Sequence, residues 1–190
     1  MQNLIRPAIS LFVLLTVVTG VVYPLAVFAV GQVAFRERAN GSIIEVDGQA
    51  VGSRLIGQNF ASPKYFWSRP SATGPVPYNA EASSGSNYGP NHPDQQTAVT
   101  DRIAALREAG HDALAPVPVD LVTASGSGLD PEISLAAAYY QAERVAVARG
   151  VSVDSVKSAI ERHAHRRMMG VFGEPRVNVL ELNLDLDGKA

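Results

Sequence analysis

A chain of 190 residues with no cysteine, 16 basic and 18 acidic side chains and a formal net charge of −2 excludes several classes at once. Thiolate chemistry and disulfide scaffolds are closed to it, no basic patch suits nucleic acid, and no block of charge reads as a tail. The length suits one membrane helix and one further domain of roughly 150 residues.

The first element is the uncharged run from Pro7 to Phe35, bounded by Arg6 on one side and Arg36-Glu37-Arg38 on the other. A bilayer core about 30 Å thick needs about 20 apolar helical residues, and backbone groups in lipid must bond within their own segment. Residues 1–36 are therefore expected to form a transmembrane anchor helix, with a span of about 7–35. A cleaved secretory signal is the rival, with Val27-Phe28-Ala29 as a weak cleavage site, but such signals have an apolar core of only about 7–15 residues. Thr16, Gly20, Tyr23, Val27 and Gly31 recur at helical spacing and form one packing stripe. Within it Thr16 and Gly20 are a small pair four apart, which lets another helix come close. Pro24 cannot donate to the Gly20 carbonyl, which predicts a kink. Basic residues on the two flanks nearly balance, so loop charge does not choose an orientation.

Residues 37–190 read as one soluble mixed α/β domain, a small sheet covered by about three helices. Asn40-Gly41-Ser42 is a turn. Ile43–Val46 and Gln49–Val51 flank Asp47-Gly48, a strong two-residue hairpin signal. Leu55–Phe60 and Tyr65–Trp67 are expected as further short strands, parted by a turn at Ser62-Pro63. From 68 to 93 the composition shifts to Pro, Ser, Gly and Asn, giving a long loop with Tyr78 and Tyr88 as anchors that favour order.

Pro93 opens a helix ending near Gly110, with Val99, Ile103 and Leu106 as its apolar stripe. Val117–Thr123 is a strand candidate. A second helix begins at Pro131 or Ser134 and closes at Gly150. Ser152 caps a third, whose apolar face carries Val153, Val156, Ile160 and Ala164. In Arg176–Asp187 four leucines (Leu180, Leu182, Leu184, Leu186) alternate with Glu181, Asn183, Asp185 and Asp187, which predicts a strand with one buried face.

Chemistry is sparse. No phosphate-gripping Gly-x-x-x-x-Gly-Lys-Ser/Thr loop is present, and Ser125-Gly126-Ser127-Gly128-Leu129 has Leu where a nucleophile elbow ends in Gly. The stretch Ser125, Gly126, Ser127, Gly128 ahead of a helix start could turn N–H groups toward a phosphate, with Gln141 and Arg144 adding side-chain contacts. An ordinary strand-to-helix turn capped by Asp130 or Ser134 explains the same residues. Of the four histidines, His92, His111, His163 and His165, the last two are two apart and diverge on a helix, so no metal site is expected. No carboxylate pair stands out, so neither catalysis nor a cofactor of its own is expected.

Ordered matches run nearly the length of the chain. They include Gly20-Val21-Val22-Tyr23-Pro24-Leu25, Leu55-Ile56-Gly57-Gln58-Asn59-Phe60, Arg69-Pro70-Ser71-Ala72-Thr73 and Pro77-Tyr78-Asn79. Asp120 to Asp130, Arg144-Val145-Ala146 and Pro175-Arg176-Val177-Asn178-Val179-Leu180 follow. On these the chain resembles the C subunit of the bacterial Kdp potassium-transporting ATPase. Two departures are visible: Ser84 stands where the family often has Gly, and Ala142-Glu143 where it often has Val-Pro.

The resemblance implies an accessory, non-catalytic subunit of an ATP-driven potassium import complex in the bacterial inner membrane. Its partners would be a potassium-channel-like subunit and a P-type ATPase subunit. It would be needed for assembly and would raise the ATPase subunit's affinity for ATP. Two placements follow. A cytoplasmic domain could hold ATP through Ser125–Asp130 and Gln141. An extracytoplasmic domain, with the N-terminus cytoplasmic, would act through its packed anchor, and the family's assembled architecture favours this. A free-standing anchored ligand-binding protein, walled by the 68–93 loop, is the alternative.

Overall fold

The computed structural model describes residues 4–110 and 114–189. His111 lies outside the described residues. The chain forms two compact units, residues 1–43 and 44–190.

The first unit is dominated by one apolar helical rod, Ile5–Ala34, of 30 residues. At 1.5 Å per residue it is about 45 Å long, enough to cross a bilayer core. It consists of α1 (Ile5–Val17), a π-helical turn (Val18–Val22) and α2 (Tyr23–Ala34), and none of these buries a residue within the chain. The wide turn lies just upstream of Pro24. A π turn loosens the ladder where proline has no N–H to give. Thr19 Oγ1 donates to the Leu15 carbonyl at 2.7 Å, which satisfies the hydroxyl inside the helix itself. At Phe35 the backbone leaves the helical region, and a short α3 (Arg36–Ala39) follows.

The second unit begins with a hairpin of β1 (Ile43–Val46) and β2 (Gln49–Ser53). Asp47 and Gly48 both take positive φ, 53° and 74°, as the expected tight turn requires. Then come α4 (Pro93–Glu108), β3 (Glu132–Ser134), α5 (Leu135–Arg149), α6 (Val153–Arg162), β4 (Ala164–His165), β5 (Arg176–Asn178) and α7 (Val179–Leu186). β5 is the centre of a three-stranded antiparallel sheet, pairing Val177 with Ile133 of β3 and with Ala164 of β4. Ile133, Val145, Val156, Ile160, Val177 and Leu182 make its core with the helices. The mixed α/β class expected from the sequence is what the structure has, as small sheets with several helices.

Local signals place the helices. Ser134 caps α5 by accepting from Ala137 N at 3.0 Å, Ser152 caps α6 by accepting from Ser155 N, and Gly150 ends α5 in the left-handed region. Besides Tyr65–Trp67, which is not a strand, three expected strands are something else. Val117–Thr123 holds a 3-10 turn, Val119–Leu121, which presents the Asp120 carboxylate to the N–H and hydroxyl of Ser134 at 2.7 and 3.1 Å. Leu55–Phe60 is irregular, with Gly57 N donating to the Leu129 carbonyl at 2.9 Å. A Cβ at Gly57 would stand 2.6 Å from both the Asp130 carbonyl oxygen and the Tyr78 ring, so this close approach needs glycine.

The third correction is the largest. Arg176–Asp187 is a three-residue strand followed by a helix. Alternating leucines fit a strand, but the buried set is Val179, Leu180, Leu182 and Asn183, which follows a helical period. Asn178 decides the outcome. Its Oδ1 accepts from Glu181 N at 3.1 Å, in an Asn-x-x-Glu arrangement that starts a helix. Its Nδ2 donates to the Arg54 carbonyl at 2.8 Å. Asn178→Ala should therefore cost about 1–2 kcal/mol, read as a lower urea midpoint in the full-length chain. Asn178→Asp, which keeps the cap and loses only the donor, should cost less.

Candidate functional site

The backbone of Tyr65–Trp67 was expected in a sheet, and it pairs with side chains instead. Phe66 N donates to Asn183 Oδ1 at 2.8 Å while Asn183 Nδ2 donates to the Phe66 carbonyl at 3.0 Å. Trp67 repeats the pattern with Gln141: its N–H gives to Oε1 at 2.8 Å, and Nε2 gives to its carbonyl at 3.1 Å. A carboxamide is a detached peptide unit, so each side chain supplies both partners that a neighbouring strand would have offered. Gln141 is 0% exposed and Asn183 2% exposed, so the four groups would otherwise be stranded away from water. Only β-strand propensity was legible in this segment. The two amides that replace a strand lie on helices far along the chain.

Arg144 extends the clamp. Its Nη2 donates to Gln141 Oε1 at 2.8 Å and to the Tyr65 carbonyl at 3.1 Å, and its Nη1 donates to the Pro63 carbonyl. The guanidinium lies over the Trp67 ring, 4.6 Å from its centre. Burial pulls its pKa down to about 10, so it stays charged at neutral pH. Gln141 and Arg144, two candidate phosphate contacts, thus spend these polar atoms holding 63–67 against α5. Residues Ala142-Glu143, one of the two departures from the family pattern, stand between them on that helix.

Ser125–Gly128 is bound to the 68–93 loop. Ser125 N donates to the Pro70 carbonyl at 3.3 Å, Ser84 N to the Ser127 carbonyl at 2.9 Å, and Ser71 Oγ to the Gly128 carbonyl at 2.7 Å. Gly128 has φ of 67°, and a Cβ there would meet Thr73 Cγ2 at 2.5 Å. No helix starts directly after this stretch: Asp130 accepts from Glu132 N at 3.0 Å and β3 follows. That departs from the expected loop-to-helix geometry, because Ser134 begins the helix only after the strand. The Gly126 and Ser127 amides are without partners among the described residues. The depression beside Ser125 and Gly126 is bordered by residues from Gly85 to Pro90, Gln95 and Ala124, and neither Gln141 nor Arg144 lines it.

Of the remaining candidates, Thr16 lies in α1, Gly20 in the π turn, and Tyr23, Pro24, Val27 and Gly31 in α2. The wider turn interrupts the row between Thr16 and Tyr23, with Gly20 inside it. Nothing lies within 4 Å of where a Cβ at Gly20 would stand, whereas a Cβ at Gly31 would touch Ala39 at 3.6 Å. His92 caps α4 by accepting from Asp94 N at 3.2 Å and stacks on Tyr88. His163 Nε2 lies 3.2 Å from Asp185 Oδ2, and His165 is in β4. Among the described residues no three His, Asp or Glu side chains converge as a metal site would need.

Comparison with known proteins gives one answer throughout. A family profile described as "KdpC: K+-transporting ATPase, c chain" matches residues 5–188. A protein of Burkholderia ambifaria named "Potassium-transporting ATPase KdpC subunit" is 60% identical over 187 residues, covering 98% of this chain and 97% of its own. Proteins of the same name from Dechloromonas aromatica, 60% identical, and Paraburkholderia phytofirmans, 58% identical, cover 98% of this chain and 98% and 97% of their own.

Replacing Gln141 with Leu keeps the volume and strands both backbone groups of Trp67. It should cost about 2–4 kcal/mol, seen as a lower urea midpoint in Trp67 emission. Gln141→Glu retains the acceptor and should cost less. A Leu variant within about 0.5 kcal/mol of the parent would show that the clamp contributes little.

Proposed function

The chain belongs to the KdpC family of the K+-transporting ATPase, and from that premise we propose that it is a membrane-anchored, non-catalytic subunit of an ATP-driven potassium import complex. The observation that carries this reading is the family match over residues 5–188, joined to an apolar helix of 30 residues in which no residue is buried within the chain. In lipid such a helix gains from close backbone contact with neighbours, and the open face at Gly20 is where we place that contact. The partners are a channel-like subunit that selects K+ and a P-type ATPase subunit that hydrolyses ATP.

The domain is proposed to face outward, with the N-terminus cytoplasmic, and to support assembly. Any effect on ATP affinity then arises at a distance. A bound subunit changes another ligand's affinity only by favouring one conformational state of the complex over another. The commitment of Gln141 and Arg144 to the 63–67 segment supports this, because side chains so engaged are not free to grip a triphosphate.

Two experiments test the reading. Gly20→Leu in the full complex should reduce co-purification of the two larger subunits about tenfold, a loss of about 1.4 kcal/mol. Undiminished co-purification would remove Gly20 from the contact. The chain has no native cysteine, so a single exposed Lys157→Cys gives a clean topology probe. A membrane-impermeant maleimide should label it in intact spheroplasts as fully as after lysis, and labelling only after lysis would place the domain inside.

A further inference from the structure

The second unit contains a cleft of about 280 Å3 that neither the carboxamide clamp nor the Ser125–Gly128 stretch explains. Phe60, Trp67, Tyr78 and Leu106 give it apolar and aromatic walls. Two arginines, Arg69 and Arg102, line it, and no Asp or Glu does.

The two arginines differ in what they have to spare. Arg69 Nη1 pairs with Asp130 at 3.1 Å, from outside the cleft lining, and its Nε is buried without a hydrogen-bond partner. Arg102, on α4, gives Nη1 to the Val122 carbonyl at 2.8 Å and meets no carboxylate among the described residues. Burial lowers its pKa below the usual arginine value, yet it remains a cation. A partly desolvated cation without a counter-charge is poorly solvated and poorly paired, which raises its affinity for an anion. The Tyr78 wall is held in place, since Tyr78 donates its hydroxyl to the Arg69 carbonyl and its N–H to Ser71 Oγ at 2.9 Å. A preformed wall lowers the ordering cost of binding.

We propose that this cleft is a binding site for a small organic acid, with the carboxylate on Arg102 and the apolar body against Trp67 and Phe60. Its volume falls just under the range of roughly 300–1,000 Å3 typical of drug-sized ligands, which suits a small molecule. The aromatic walls favour an organic acid over a bare inorganic anion, which would leave them in contact with water.

Trp67 is the chain's only tryptophan and lines the cleft, so its emission reports occupancy. The test uses the full chain in detergent micelles at fixed ionic strength. Sodium benzoate should change Trp67 emission saturably, while benzamide, the neutral molecule of the same shape, should bind about tenfold more weakly. Inorganic phosphate should produce no saturable change. Arg102→Gln should weaken benzoate about tenfold, and Arg102→Lys, which keeps the charge, by less. The proposal fails if benzoate gives no saturable response, if benzamide matches it, or if phosphate matches it. An unchanged benzoate affinity in a folded Arg102→Gln variant also overturns it. The benzoate–benzamide comparison needs only the parent chain, so it stands even where the variant does not fold.

Discussion

Two side-chain amides stand in for a missing β-strand, and the second unit is built around that substitution. Buried peptide groups must find partners. Phe66 is fully buried and Trp67 packs partly buried against the same core, where no strand lies beside them. Asn183 from α7 and Gln141 from α5 each offer one donor and one acceptor to one residue. Segment 63–67 thereby ties the two helices together, and Arg144 closes the arrangement by bonding to Gln141 and to the Pro63 and Tyr65 carbonyls. Such a network rigidifies when every member is satisfied and is costly when one is lost.

That economy bears on function. The polar side chains best suited to grip a phosphate are consumed in holding the fold, and Ser125–Gly128 serves largely as a landing strip for the loop beginning at Ser68. What the chain leaves uncovered is an apolar rod. The family is named as a subunit of a K+-transporting ATPase, and we propose that the rod is where this chain is held by its neighbours. Our proposal for the rod rests on Gly20, where the surface is open, and not on Gly31, where Ala39 already approaches.

Local chemistry was legible in the sequence, and long-range pairing was not. The rod, the Asp47-Gly48 hairpin, the Ser134 and Ser152 caps and the Gly150 terminus are set by residues a few positions apart, so reading them needs no tertiary structure. The leucine alternation of 176–187 misled because positions two apart can be buried in a helix packed on more than one side, as α7 is. Asn178 and Glu181 were the available signal that a helix starts there. The sequence offers Gln141 and Arg144 as phosphate contacts, yet a glutamine and an arginine look the same whether they bind a ligand or a backbone, and here both bond to segment 63–67. Burial distinguishes the two uses, and one sequence does not display it. The cleft at Arg102 was equally hidden, since Phe60, Trp67, Tyr78 and Arg102 meet only through the fold.

The most direct test of the carboxamide clamp is amide hydrogen exchange at Phe66 and Trp67 in the full-length chain. If Asn183 and Gln141 serve as surrogate strands, both amides exchange only on global unfolding, as slowly as the core of α5. Exchange as fast as that of the exposed Gly126 and Ser127 amides would contradict the account.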